Sequence, residues 1–163
     1  MDRYDQLEPK ALVASINSMP RRWKEAMWVP PEENIDDYFS VETDKGSVAE
    51  HMGAAIAQLR VLRGAIRTTT YNVPEPLEPE VLTAVANQGS GPWPKNAKSG
   101  LAELGEEIEA LKAELDLIST RDWQKTAPAG DRSITLMALA QGTTRVAADR
   151  LSIAERLVRS LAD

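Results

Sequence analysis

The sequence predicts an all-α fold, a four-helix bundle, and three observations support this fold class. Apolar residues recur at steps of three and four in four separate regions, which is the spacing of one face of a helix. None of these regions shows the strict alternation of a half-buried strand. The chain has 163 residues, which suits one domain with a substantial core, so we expect a single domain over residues 1–163.

The first helix is predicted from an apolar stripe, formed by Leu12, Ile16, Met19, Trp23 and Met27. Pro20 interrupts the stripe, so this region is either one kinked helix or two helices that meet near Ser18. The following segment, residues 29–45, contains two adjacent prolines and several acidic residues. It predicts a long loop after helix one.

The second helix has the clearest start signal in the chain. Ser47 and Glu50 have the spacing of a capping box, in which each side chain satisfies a free backbone N–H of the first turn. The core stripe then runs to about Arg67. Prolines and glycines repeatedly break the next stretch, which predicts a second long loop.

Helices three and four complete the predicted bundle. Helix three carries a stripe from Leu101 to Ile118, and the sequence Pro128-Ala129-Gly130-Asp131 predicts a turn after it. Ser133 is a candidate N-cap for helix four. Four helices joined by one or two long connections favour a bundle.

Composition excludes several classes of function. The absence of cysteine excludes disulfides, thiolate zinc sites, iron–sulfur clusters and a cysteine nucleophile. A single histidine excludes a metal site with two histidines from one chain. The formal net charge of −6 argues against nucleic-acid binding, which needs a basic face. We therefore expect no nucleic-acid partner and no cofactor.

The sequence also predicts the compartment. The first ten residues are charged and polar, without the apolar segment of a secretory signal. No run of 18 apolar residues occurs, so we expect no membrane span. These observations favour a soluble cytoplasmic protein.

Three short motifs, in this order and spacing, resemble the DinB-like superfamily, which includes the mycothiol-dependent maleylpyruvate isomerases. The motifs are GSVAEHM at 46–52, LDLISTRDW at 115–123, and SITL at 133–136 followed by Asp149-Arg150-Leu151. The resemblance implies a DinB-like four-helix bundle with long loops after helices one and two. It also implies a possible homodimer.

The resemblance places His51 on the family's first metal ligand. Two later ligands on helix four would fall on Arg145 and Asp149, or on Val146 and Arg150, depending on the register. Neither pair supplies a histidine, and a divalent site normally needs three protein ligands. We therefore expect no metal, because the ligand positions are degenerate.

His51 and Asp149 are the candidate catalytic residues. If they approach, the carboxylate would orient the imidazole and raise its pKa, as in a general base and its partner. The alternative is a structural histidine that hydrogen-bonds Asp149 or a backbone carbonyl. Arg145 lies one turn before Asp149 and is either a surface ion-pair partner or a binding group for a ligand anion.

A candidate ligand pocket lies on helix four, where small residues could leave room for a small molecule. Its residues are Trp93, Thr143, Thr144, Arg145 and Ala147. Close helix packing is the alternative explanation of the small residues. Trp93, in a loop rich in glycine and proline, could line that pocket, contact a partner chain or close one end of the bundle.

These observations leave several functions open. The leading hypothesis is a DinB-like protein without the family's metal centre that acts as a small-molecule binding or interaction module. The alternative is an enzyme that uses His51 and Asp149, either a metal-dependent thiol transferase or isomerase, or a metal-free hydrolase or self-resistance protein. A purely structural bundle that binds a partner protein is a third class.

Overall fold

The protein is mostly helical. A computed structural model describes residues 7–70, 93–129 and 132–163. The helices are α1 (Pro9–Ala26), α2 (Asp36–Phe39), α3 (Val48–Thr70), α4 (Ala97–Leu115) and α5 (Leu136–Ala162). The all-α prediction is therefore confirmed for the larger part of the chain, with one short hairpin as an exception.

Helix α1 is continuous through Pro20, so the two-helix alternative is wrong. Pro9 opens the helix, a position where its missing N–H costs nothing. The four residues of the stripe within the helix, Leu12, Ile16, Met19 and Trp23, are fully buried. Burial of each is worth about 1.5–3 kcal/mol, which together exceeds the cost of about 3 kcal/mol for an internal proline.

The connection from α1 to α3 contains more structure than a plain loop. The short helix α2 buries Phe39 in the core. A tight turn follows, in which the backbones of Thr43 and Gly46 exchange hydrogen bonds of 3.2 and 3.0 Å. The predicted second long loop lies mostly outside the described residues.

The N-terminal caps of α3 and α4 are local. The Glu50 N–H donates to Ser47 Oγ at 3.1 Å, which is the serine half of the predicted capping box. The Ser99 N–H donates to the Asn96 side chain at 2.8 Å and caps α4. Both helices therefore begin where the sequence supplies a side-chain acceptor.

Helices α1 and α5 run parallel. Arg22 of α1 pairs with Glu155 of α5 at 3.1 Å, and the Gln141 side chain donates to the Leu7 carbonyl at 3.1 Å just before α1. Residue numbers rise together along both helices between these two contacts. The first and last described helices therefore lie side by side in the same direction.

Helices α3 and α4 also run parallel to each other. Arg60 contacts Glu103 at 2.6 Å, and two to three turns later Arg67 contacts Glu114 at 2.7 Å. Between them, Glu107 is buried and accepts from Arg60 and Arg63. Exposed ion pairs contribute little, but a shared, buried carboxylate fixes the register of the two helices.

The two parallel pairs are antiparallel to one another. Pro9 and Met137, at the starts of α1 and α5, line one cavity with Trp123, which follows the end of α4. At the opposite end, Lys45 precedes α3 and lines a cavity with Leu161, near the end of α5. The four long helices thus run up, down, down and up around one core.

A short β-hairpin joins α4 to α5. Strand β1 (Thr126–Ala129) pairs antiparallel with β2 (Arg132–Thr135). The prediction that Ser133 caps helix four was wrong. Ser133 lies in β2, and Thr135 caps α5 by accepting from the Ala138 N–H at 3.0 Å.

Large apolar side chains from all four long helices form the core. Trp123 is buried as well. In the part of the chain that the structure describes, no helix is long and apolar enough to cross a lipid bilayer.

Candidate functional site: His51 and Arg150

His51 lies in the first turn of α3 with its ring buried. Its Nε2 lies 2.6 Å from the carbonyl oxygen of Lys45, in the turn before the helix. A carbonyl oxygen only accepts, so Nε2 carries the proton of this hydrogen bond. The imidazole therefore fixes the backbone of the preceding turn.

Arg150 of α5 occupies the other side of the ring. Its Nη1 lies 2.8 Å from His51 Nδ1. A guanidinium has only N–H donors, so Nδ1 accepts with its lone pair. The two contacts select one tautomer, a neutral ring with hydrogen on Nε2 and no lone pair free for another partner.

The electrostatics of the pair favour this neutral state. Burial lowers the pKa of His51, and the Arg150 charge lowers this pKa further, while the hydrogen bond to the Lys45 carbonyl opposes the shift. Burial also lowers the pKa of Arg150, and the nearby charges of Glu50 and Asp149 raise it. The site is thus a buried cation beside a neutral imidazole.

The turn under His51 depends on Gly46. Its φ is +87°, a conformation that side chains other than glycine's rarely adopt. A Cβ there would lie 2.5 Å from Glu50 Oε2 and 3.1 Å from His51 Nε2. Thr43 closes the turn by donating its hydroxyl to the Gly46 carbonyl at 2.7 Å.

The predicted catalytic pair is placed differently from the expectation. The hydrogen bonds of the His51 ring go to Lys45 and Arg150, whereas the neighbouring Asp149 has an exposed side chain. Of the two registers considered for helix four, the structure brings Arg150 rather than Asp149 to the imidazole. Arg145, one turn earlier, is half-buried.

The small residues of the predicted ligand pocket lie in the core. Thr143, Thr144 and Ala147 are fully buried. The Thr143 hydroxyl donates to the Leu139 carbonyl one turn earlier at 3.0 Å, whereas Thr144 Oγ1 makes no hydrogen bond within the described residues. Close helix packing accounts for these positions.

Trp93 packs against α3 rather than beside the small residues of the predicted pocket on α5. A Cβ on Gly53 would lie 2.7 Å from Cε3 of the Trp93 ring, so the indole rests directly on this glycine. Pro94 contacts the same glycine and also Gly100 of α4. Trp93 is half-buried against the core at the end where α3 and α4 begin.

The donor set around His51 does not suit a metal ion. The Nδ1 lone pair faces a guanidinium, whose charge would repel a cation in the same place. Within residues 7–70, 93–129 and 132–163, no three side chains of histidine, cysteine, aspartate or glutamate cluster as metal ligands. A hydrogen-bonded cation thus stands where the resemblance placed a metal.

Sequence reasoning missed the roles of Arg150 and of the turn. Arg150 lies seven residues after Thr143 and seven before Leu157, both buried, so its helical position places it on the inward face of α5. Asp149 is rotated away by about 100°. This periodicity was the available signal for Arg150.

No protein-family model, curated protein or solved structure matches this chain. The resemblance to the DinB-like superfamily therefore rests on the three sequence motifs alone.

Proposed function

We propose that this chain is a DinB-like four-helix bundle in which the His51–Arg150 pair replaces a metal centre, and that it acts as a binding or interaction module. One observation carries the proposal. The Nδ1 of His51, the atom facing the last helix, accepts a hydrogen bond from Arg150 at 2.8 Å.

The pair accounts for the absence of the usual ligands from helix α5. In this proposal, a guanidinium supplies the positive charge that a divalent ion would supply in the family. It connects α3 to α5 by a single hydrogen bond, while the opposite nitrogen of the ring holds the turn at Lys45. The site then has a structural role, in which it ties the start of α3 to α5.

The same geometry disfavours the enzyme alternative. A general base needs a lone pair that can reach a substrate or a water molecule. In His51 that lone pair points at Arg150, and the lowered pKa of the buried ring makes it a weaker base. Catalysis by His51 and Asp149 would require the Arg150 contact to break first.

Metal titration tests the proposal. Isothermal titration of the protein with Zn²⁺ and Ni²⁺, followed by elemental analysis, is expected to show no stoichiometric binding. Arg150→Gln tests whether removal of the guanidinium restores affinity for Zn²⁺ or Ni²⁺. Arg156→Gln is the matched control, because Arg156 is an exposed arginine on the same helix. One metal ion per wild-type chain that is lost in His51→Asn would refute the proposal.

The proposal includes a cytoplasmic homodimer. Trp28 and Leu117 are 70% and 74% exposed, so both apolar side chains are accessible to a second copy of the chain. Sedimentation equilibrium is expected to show self-association that weakens in Trp28→Ser or Leu117→Ser. A monomer across the accessible concentration range would remove this part of the proposal.

A further inference from the structure

A cavity of about 530 Å³ lies between the last turns of α5 and the turn at residues 43–46, whose Lys45 carbonyl is hydrogen-bonded to His51. Its volume falls within the range of about 300–1,000 Å³ that is common for small-molecule sites. It is lined by Thr43, Asp44 and Lys45 from the turn, and by Ile153, Arg156, Leu157, Ser160 and Leu161 from the helix.

The polar side of this cavity carries a net positive charge. Lys45 and Arg156 line it against a single acidic residue, Asp44, although the chain as a whole has a net charge of −6. Neither cation has a carboxylate within 4 Å in the described part of the chain. A monovalent anion would therefore neutralise the cavity.

A second cavity, of about 560 Å³, makes a useful comparison. It lies at the ends of α1 and α5, where Arg22 and Arg159 face Glu25, Glu155 and Asp163. Arg22 is already paired with Glu155 at 3.1 Å. The lining is net acidic, so this second cavity does not favour an anion.

The α5 wall of the first cavity presents an apolar strip beside Arg156 and Ser160. Ile153, Leu157 and Leu161 follow one another at intervals of four residues and therefore lie along one face of α5. Leu157 is buried, and the other two are half-buried. Such a wall suits an aliphatic chain laid along the helix.

The sign of the charge is set by side chains. The positive N-terminal end of α3 and the negative C-terminal end of α5 both lie at this end of the molecule, and their partial charges oppose each other. The turn that carries Lys45 is held in place by the hydrogen bond from His51 to the Lys45 carbonyl. The backbone position from which the Lys45 side chain extends is therefore fixed.

We infer that this cavity binds a carboxylate with an aliphatic tail, the head group between Lys45 and Arg156 and the tail along Ile153, Leu157 and Leu161. The inference rests on the proposed binding role and supplies its ligand class. It can be tested apart from the metal question, because no lining residue contributes a side chain to the His51–Arg150 hydrogen bond.

Binding of octanoate by the full chain tests the inference. Amide chemical-shift changes in ¹H–¹⁵N spectra are expected in residues 43–45 and 153–161. Octanol removes the charge and acetate removes the tail, so each is expected to bind at least about fivefold more weakly. Equal binding of octanol, or shifts confined to the cavity of Arg22 and Trp28, would overturn the inference.

Charge variants locate the head group. Lys45→Gln and Arg156→Gln are each expected to weaken octanoate binding about fivefold at low ionic strength, the upper range for exposed ion pairs. Arg159→Gln, which lines the other cavity, is the matched control and is expected to leave the affinity unchanged. All three residues are exposed, so folding should be preserved.

The outcomes separate the two proposals. Octanoate binding together with stoichiometric metal would preserve the cavity and refute the metal-free site. No octanoate binding with no metal would refute the cavity alone. Binding to phosphatidylserine vesicles without binding to octanoate would overturn the inference in favour of a membrane surface.

Discussion

Replacement of Arg150 by methionine tests the central contact of this structure. The substitution keeps a long side chain but removes the donor to His51 Nδ1, which lies in a ring that is only 3% exposed. A buried acceptor left unpaired costs about 1–3 kcal/mol. The substitution also removes the desolvation penalty of the buried guanidinium, which offsets part of that cost. We therefore expect the free energy of unfolding to decrease by about 1–2 kcal/mol.

Urea unfolding followed by tryptophan fluorescence measures the loss, because Trp23 and Trp123 are both buried. In a domain of this size the expected decrease in Tm is about 2–8 °C. Arg156→Met, on an exposed position of the same helix, is the control and should change stability by less than about 0.5 kcal/mol.

A double-mutant cycle with His51→Leu isolates the pair. We expect a coupling energy of at least about 0.5 kcal/mol, as for residues in direct contact. If Arg150→Met behaves like Arg156→Met and the coupling is zero, the hydrogen bond does not contribute and the interpretation of the site fails.

Three further predictions follow from named contacts. The pKa of His51 is lowered in the folded state, so the unfolded chain binds more protons than the folded chain as pH drops below about 6.5. Stability should therefore fall in this range, with a slope of at most about 1.4 kcal/mol per pH unit. Unfolding of wild type and His51→Leu across pH isolates the contribution of this histidine, and an identical slope in both proteins would contradict the prediction. Gly46→Ala should lower the free energy of unfolding by at least about 1–2 kcal/mol, because φ is +87° and the new Cβ meets the imidazole of His51. A neutral effect in urea unfolding would show that the turn is not held as described. Gly53→Ala should destabilise the protein by about 1–3 kcal/mol through overpacking against Trp93. Gly64→Ala should instead stabilise α3 by about 0.5–1 kcal/mol, because an added Cβ there would meet nothing within 4 Å beyond its chain neighbours and the backbone of its own helix. Thermal unfolding of both variants checks these opposite signs.

The helices were predictable because each carries a strong local signal. The stripe of α1 is long enough to outweigh Pro20, and Ser47 caps α3 as its spacing with Glu50 indicated. The hairpin was not predictable in the same way. Strand β1 contains Pro128 and two alanines, which lack the β-branched and aromatic pattern of a strand, and its pairing depends on tertiary context.

The site was harder to predict than the fold. The sequence singles out His51 as a candidate site residue, but the partner of its ring depends on which of two adjacent positions on α5 faces inward. One residue turns a side chain by about 100°, so a register error exchanges a buried arginine for an exposed aspartate. The Lys45 carbonyl is a backbone group, which no side-chain motif can reveal.

The parallel pairing of α1 and α5 has a consequence for how the chain folds. Arg22 and Glu155 are 133 residues apart in sequence, so their contact closes almost the whole described chain. Bringing such distant segments together costs chain entropy before any packing contacts form. Folding is therefore expected to be slower than in bundles whose successive helices form antiparallel hairpins. During synthesis, the apolar stripe of α1 cannot complete its packing until α5 has emerged, and a chain that still lacks α5 leaves part of that stripe exposed to aggregation.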